Sequence, residues 1–322
     1  MDLTSIRNLV QVELIATDNL IDECLESQIA LIKQLGQHLI HSGGKRLRPL
    51  LVLLSAKAFN YQGQSHINLA AVIELVHTAT LLHDDVVDTS ELRRGKRTAN
   101  AVWGNAASIL VGDFLYSRSF QLMIRADNMR VLQSLATATN VIAEGEILQL
   151  LNCKNPDTDE ETCMKVIRAK TGTLFATATE IGALLAQRSE QEIKAMYEYG
   201  MHLGIAFQLV DDALDYQSDS EIMGKNRGDD LAEGKLTIPL LHTLKHGSLE
   251  EINIIRDAIH HADSAEKERI FAAIESTGAI AYTYQLAQQH IKTAIDFLNG
   301  IPQSPYRDAL TTLAEFVVAR TN

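Results

Sequence analysis

Proline is scarce in this chain of 322 residues, with five in all, and strand-like alternation bounded by turns is scarce too. So few breaks leave room for long uninterrupted helices. Cysteine is scarcer still. Cys24, Cys153 and Cys163 have neither zinc nor redox spacing and form no disulfide framework, which suits a reducing cytoplasm. No apolar run spans a bilayer: the longest, PLLVLL at 49–54, falls far short of the roughly 20 residues a membrane helix needs. The N-terminus lacks the basic, apolar and small-residue sections of a signal peptide. Positive charge is in deficit. The 29 Lys and Arg face 41 Asp and Glu, a formal net charge of −12, which argues against a nucleic-acid partner. No low-complexity linker, composition break or short-period repeat divides the chain, so residues 1–322 read as a single domain.

What is present points to helices. Hydrophobic residues make up 46% and charged residues 22%, enough apolar material for a substantial core. Apolar residues recur at spacings of three and four, as in Leu69, Val72, Ile73, Val76 and Thr80, and again in Phe207, Val210 and Leu214. Thr158 with Glu161, and Ser248 with Glu251, fit capping boxes. Pro49 and Pro239 fit first-turn prolines that open apolar runs. Residues 60–66, 155–159, 226–230 and 300–305 read as loops. The expectation is an all-α protein of roughly ten or more helices, some apolar on so many faces that they form a buried central layer.

One stretch does not fit a plain core. LLHDDVVD at 81–88 ends an apolar helix pattern on three aspartates, and LVDDALDY at 209–216 repeats the arrangement. Both contain Asp-Asp-x-x-Asp: Asp84, Asp85, Asp88 and Asp211, Asp212, Asp215. On a helix, positions i and i+4 share a face about 5.4 Å apart along the axis. Asp84 and Asp88 therefore point the same way, as do Asp211 and Asp215. Like charges so placed destabilise a helix unless neutralised. Mg²⁺ suits them, being hard and usually held by one or two carboxylates plus substrate phosphates. A di-iron site would want Glu-x-x-His motifs, which are not seen. One such motif is a common surface feature; two, each behind core-spaced apolar residues, are not.

Cations bracket both motifs. GGKRLRP at 43–49 puts Lys45, Arg46 and Arg48 on a Gly-rich turn before a helix, where N–H groups and positive potential favour phosphate. Arg93 and Arg94 follow the first motif, and arginine forks match phosphate oxygens. Lys170 and Thr171 lie in a helix pattern. Lys225 and Lys235 flank the acidic loop after the second motif. Two diphosphates, one held through metal and one by cations directly, fit this pattern.

These segments, with HTATLLHDDVVD, GNAASILVGDFLYSRSFQ, EGEILQL, AKTGTLF, FQLVDDALDY, GKNRGDDLAEGK and TIPLLH, run over essentially the whole chain. Together they resemble the trans-polyprenyl diphosphate synthases and, more narrowly, the bacterial octaprenyl diphosphate synthases. A departure is Leu236, where that family commonly has proline; it is expected to soften the loop-to-helix join while leaving Lys235 in place. The resemblance implies an isoprenoid-synthase-type helical bundle around a deep central cavity, working as a cytoplasmic homodimer. It implies transfer of an allylic prenyl group, with farnesyl diphosphate as primer, onto isopentenyl diphosphate. The product would be a long all-trans chain, octaprenyl, for the side chain of respiratory quinones. Hexa-, hepta- or nonaprenyl products and a non-catalytic subunit of a heteromeric synthase are the alternatives, though such a subunit would normally have lost the aspartates. The resemblance assigns Asp84, Asp85, Asp88, Asp211, Asp212 and Asp215 to roughly two or three Mg²⁺ ions on the allylic diphosphate. It assigns Arg93, Lys170, Thr171, Gln208, Lys225 and Lys235 to that same diphosphate, and Lys45, Arg48, His77 and Arg94 to isopentenyl diphosphate. Neither a nucleic acid nor a transmembrane segment is expected, although product release implies transient membrane contact. His83 reads as a structural hydrogen-bonder.

Two rivals stand against this. A terpene cyclase shares the metal chemistry but normally lacks a second such motif and the Lys45–Arg48 site. A plain helical scaffold with acidic patches would show no Mg²⁺-dependent diphosphate binding.

Product length follows from the first helix. Counting back from Asp84, Ala79 and Thr80 lie about one turn below the metal and Val76 about two. Small residues there leave a growing tail room, and Met123, on the helix pattern 105–125, is a candidate deeper wall. Ala79→Tyr is therefore expected to shorten the product markedly while activity persists. Unchanged length in a radiolabelled product assay would count against this.

Overall fold

A computed structural model describes residues 1–40, 45–93, 95–217, 227–262 and 265–320. Among them the chain is helical nearly throughout, as the periodicity requires. The helices are α1 (Leu3–Asn8), α2 (Gln11–Cys24), α3 (Ala30–Ile40), α4 (Leu47–Ala58), α5 (Ser65–Val87), α6 (Ala99–Trp103), α7 (Asn105–Met123), α8 (Met129–Asn152), α9 (Glu160–Ile167), α10 (Thr173–Leu185) and α11 (Glu190–Gln217). They continue with α12 (Asp229–Ala232), α13 (Ile238–His246), α14 (Leu249–His261), α15 (Lys267–Ser276), α16 (Ala279–Phe297) and α17 (Pro305–Ala319). The described strands, β1 (Leu92–Arg93) and β2 (Lys96–Arg97), pair antiparallel in a short hairpin. Between α9 and α10 the chain makes one π-helical turn, Arg168–Gly172.

Contacts divide the chain into two compact units. One comprises residues 1–139, 174–200 and 297–313; the other comprises 140–173, 201–296 and 314–322. In the first unit α5 packs on α2, α4 and α7. It is long and apolar enough to cross a bilayer by composition alone, yet most of it is covered. Leu69, Val72, Ile73, Leu75, Val76 and Leu82 are fully buried, so it is a core helix. Five successive residues of α4, Leu50–Leu54, are buried on all sides, which is the central layer the sequence suggested. Gly182 of α10 lets that helix close on the backbone of Ser55 and Ala56; a Cβ would stand 2.5 Å from both. The hydroxyl of fully buried Tyr199 donates to the Leu310 carbonyl at 2.8 Å, giving the ring's polar end its partner.

The second unit has its own apolar centre, where Tyr216, Leu231, Leu240, Ile255, Ile259, Ile270 and Phe271 meet. Leu236 is buried in the same cluster, and its carbonyl accepts the Cys163 thiol at 3.2 Å. The join to α13 is thus anchored, contrary to the softening expected of a missing proline. Pro239 sits in the first turn of α13 and Pro49 in that of α4. The Ser248–Glu251 capping box forms in full. The Thr158–Glu161 box does not. Helix α9 starts later, capped by Asp159, whose carboxylate accepts the Thr162 N–H at 2.8 Å. Thr158 is instead buried, its hydroxyl donating to the Asn155 carbonyl at 3.0 Å. The loop read at 226–230 is also shorter than expected, because Asp229 and Asp230 already open α12.

His202 of α11 and His290 of α16 share a hydrogen bond, Nδ1 to Nδ1 at 2.7 Å. Burial, then His202, then Arg168 push His290 down to about 4. An unfolded histidine titrates near 6.5. The native state therefore binds this proton less readily than the unfolded chain. Its contribution to stability is whole above pH ~6.5 and is lost as pH falls toward ~4. The urea midpoint should drop between pH ~7 and ~5, and His290→Phe should flatten part of that drop. An identical drop in the variant would exclude the histidine pair as a cause.

Candidate active site

The first motif ends α5. The accessible side of this otherwise buried helix reads Glu74, His77, Leu81, Asp84 and Asp88, successive residues three and four apart. Asp84 and Asp88 thus share an open face, as their spacing requires, and Asp88 is the C-cap. Thr89 turns the chain away with φ +52°, an uncommon conformation for a β-branched residue. Asp85 points elsewhere. It is wholly buried, and its Oδ1 accepts both Nε and Nη2 of Arg93, at 2.9 and 2.7 Å. Burial raises its pKa, and the guanidinium opposes that rise.

Of the residues expected at a second diphosphate, Arg48 of α4 meets His77 of α5. Arg48 Nη1 lies 3.0 Å from His77 Nε2, and its guanidinium stacks 4.6 Å from the centre of the Phe175 ring. An arginine can only donate, so His77 accepts at Nε2 and carries its proton on Nδ1. Lys45 is half-buried just before α4. Arg46 caps that helix at φ +47° and is taken up by Glu74 and, at 3.7 Å, by Asp18. Its role is to fasten α4 to α5 and α2. Arg94 and Lys225 lie outside the described residues.

In the second unit the motif lies near the end of α11. Thr171 Oγ1 donates to Gln208 Oε1 at 2.9 Å, and Gln208 Nε2 donates to Asp212 Oδ1 at 2.8 Å. Lys170 pairs with Glu146 at 2.7 Å and Lys235 with Glu233 at 2.6 Å. Lys170, Thr171, Gln208, Asp212, Asp230 and Lys235 line a cavity of about 150 Å³. Asp212 is buried there, and its pKa rises well above the ordinary carboxylate value. Desolvation is the main cause and Asp230 the next, against Gln208 and Lys235.

Three participants escaped the sequence reading. Asp230 faces the cavity from a segment taken as loop. Glu146 holds Lys170. Arg320, near the end of α17, reaches Asp211 at 2.8 Å, with its own side chain only 6% exposed. EGEILQL and GKNRGDDLAEGK signalled the first two as segments without giving them a task; nothing in the sequence around Arg320 marks it.

Delivery of Lys170 depends on the π-turn, a conformation concentrated at functional sites. Gly145 of α8 makes room for it: a Cβ there would stand 2.6 Å from the Ala169 Cβ and 3.2 Å from the Lys170 nitrogen. Of the chain-length candidates, Thr80 is half-buried with its hydroxyl on the His77 carbonyl at 2.8 Å. Ala79, Val76 and Met123 are buried. A tyrosine at 79 must therefore displace neighbours, an overpacking worth typically 1–3 kcal/mol. His83 sits 3.3 Å from the Ile109 carbonyl and 3.4 Å from Asp113, with its ring stacked on Tyr116.

Within the first unit Asp84 and Asp88, and within the second Asp212 beside Asp230, each offer oxygen donors of the kind that suit a hard divalent cation. Among the described residues no three acidic, imidazole or thiol groups gather closely enough to hold an ion unaided.

The polyprenyl synthetase family model matches residues 29–276. The chain belongs to this family. It is 47% identical over 321 residues to the octaprenyl diphosphate synthase of Escherichia coli (strain K12), covering 99% of both chains. It is 42% identical over 306 residues to an all-trans-nonaprenyl-diphosphate synthase of Rhodobacter capsulatus, covering 95% of this chain and 94% of that one. Among solved structures, a polyprenyl synthase from Caulobacter crescentus, complexed with calcium and isoprenyl diphosphate, superposes with a TM-score of 0.96. That protein is 41% identical, and the match covers 100% of this chain and 98% of the other. The chain is accordingly an all-α prenyltransferase that makes a long-chain polyprenyl diphosphate.

Gly145→Ala should push the π-turn back and lower kcat/KM for the allylic substrate by about tenfold, with Ala169→Gly in the same chain restoring part of it. Steady-state kinetics of both variants checks this. Unaltered kinetics in Gly145→Ala would mean the turn is not held by that contact.

Proposed function

We propose that the chain is an octaprenyl diphosphate synthase that extends an allylic primer, farnesyl diphosphate, with successive isopentenyl diphosphates. The observation that carries this is the pair of complete aspartate motifs in a chain 47% identical throughout to an octaprenyl synthase. A non-catalytic subunit has no use for six intact carboxylates. A nonaprenyl product is the second reading, favoured by the Rhodobacter relative.

Asp84, Asp88, Asp211, Asp212 and Asp215 would hold Mg²⁺, which when bound would supply positive charge that favours departure of the allylic diphosphate. Arg93, Lys170, Thr171, Gln208, Lys225 and Lys235 bind the same diphosphate and stabilise the negative charge it gains on leaving. Lys45, Arg48, His77 and Arg94 hold isopentenyl diphosphate. The bonding pair leaves with the diphosphate, and an allylic cation remains. The alkene of isopentenyl diphosphate attacks that cation and forms the new carbon–carbon bond. A proton then departs to the released diphosphate, which restores an allylic product ready for another round. No nucleophilic side chain is required. Lys170 and Lys235 each exchange an internal carboxylate partner, Glu146 or Glu233, for phosphate oxygens.

The enzyme works as a cytoplasmic homodimer and supplies quinone side chains. Exposed Ile109, Leu110 and Phe120 on α7 favour association, as do exposed Ile147, Leu150 and Leu151 on α8. Cys24, Cys153 and Cys163 form no disulfide among the described residues, which fits a reducing compartment.

Purified protein incubated with farnesyl and isopentenyl diphosphates plus Mg²⁺ should yield a forty-carbon product by chromatographic sizing; a different dominant length overturns the octaprenyl assignment. Asp84→Ala and Asp211→Ala should each lower turnover by about a hundredfold or more with circular dichroism unchanged. Chelation should abolish activity reversibly. Near-normal turnover in either variant refutes the metal assignment.

A further inference from the structure

Lys170 and Lys235 reach one cavity from two separate segments of the second unit. Lys170 sits in the π-turn that continues α9, and Lys235 in the short connection between α12 and α13. That connection is fastened residue by residue. The Gly234 carbonyl accepts the Lys154 N–H at 2.9 Å, and the Lys235 N–H donates to the Asp230 carbonyl at 2.8 Å. The Leu236 carbonyl accepts the Cys163 thiol at 3.2 Å, and the hydroxyls of Thr237 and Tyr216 lie 3.0 Å apart. Of these four fastenings, the thiol is the one that comes from α9, the helix that leads directly into the turn bearing Lys170.

Cys163 and Leu236 are both buried, and both line the cavity. A carbonyl oxygen only accepts, so the thiol is the donor. Burial, and next the charge of Asp212, push that thiol up to about 12, so it keeps its proton at neutral pH and is no nucleophile. Leucine leaves φ free at position 236, where proline would fix it. The join then depends on what grips its carbonyl. We propose that Cys163 is a positioning residue: it ties α9 to the 234–237 connection and so sets the spacing between Lys170 and Lys235. This rests on reading both lysines as ligands of the allylic diphosphate. The reach of a diphosphate is short and fixed, so two cations that drift relative to one another meet it less well together. Without the thiol the buried Leu236 carbonyl loses a donor, and the connection should shift to recover one.

The test is steady-state kinetics of Cys163→Ala and Cys163→Ser, with a double-mutant cycle against Lys235→Ala. Cys163→Ala should raise KM for the allylic diphosphate about fivefold and leave KM for isopentenyl diphosphate within about twofold. Cys163→Ser, which still donates, should stay within about twofold for both substrates. Added to Lys235→Ala, Cys163→Ala should change the allylic KM by less than about twofold. A wild-type allylic KM in Cys163→Ala, a serine variant as impaired as the alanine one, or effects that multiply independently would overturn the proposal. Should Cys163→Ala not fold, Cys163→Val, which fills the space but cannot donate, should show the same rise in KM; a wild-type KM there is equally fatal. An unchanged allylic KM in Lys235→Ala would instead defeat the reading of that lysine as a diphosphate ligand.

Discussion

A carboxylate withdrawn from water must find a cation or keep a proton. Most of what surrounds the two aspartate motifs answers that requirement. Asp85 finds Arg93, and Asp211 finds Arg320. Asp212, buried beside Asp230, leans toward keeping a proton, and a divalent ion arriving there would expel it. The cations are answered likewise, Lys170 by Glu146 and Lys235 by Glu233. Within each unit these groups are held as internal ion pairs. Such pairs contribute little net stability, but they keep both signs of charge in place until the ligand comes.

Holding charges in register takes rigid supports. α5 is fixed by burial on all sides but one, so its accessible stripe cannot rotate. Contact between helices is close where glycine permits it: Gly182 against α4, and Gly145 against the π-turn. Loops do less of the positioning than is usual for enzymes, because the motifs, Gln208 and Lys170 all lie on helical backbone.

The sequence was legible where one side chain or one period decides the outcome. Core spacing revealed α5, Ser248 and Glu251 marked the start of α14, and the i, i+4 rule placed Asp84 and Asp88 on one face. It was less legible where two local solutions compete. Thr158 and Asp159 can each cap a helix, and burial of Thr158 decided for Asp159. Partners distant along the chain left no trace either. Arg320 lies more than a hundred residues from Asp211, and nothing near it announces the pairing. The direction of Asp85 could have been read from its one-residue offset, yet the repeated motif invited treating its three aspartates alike.

The π-turn at Arg168–Gly172 amounts to a helix carrying one surplus residue. Lys170 and Thr171 inside it are turned away from the headings that a plain continuation of α9 would give them. Deleting a single residue there would let the backbone relax into an ordinary helix, and Thr171 would swing off Gln208. A local irregularity thus sets two headings at once, Lys170 toward Glu146 and Thr171 toward Gln208.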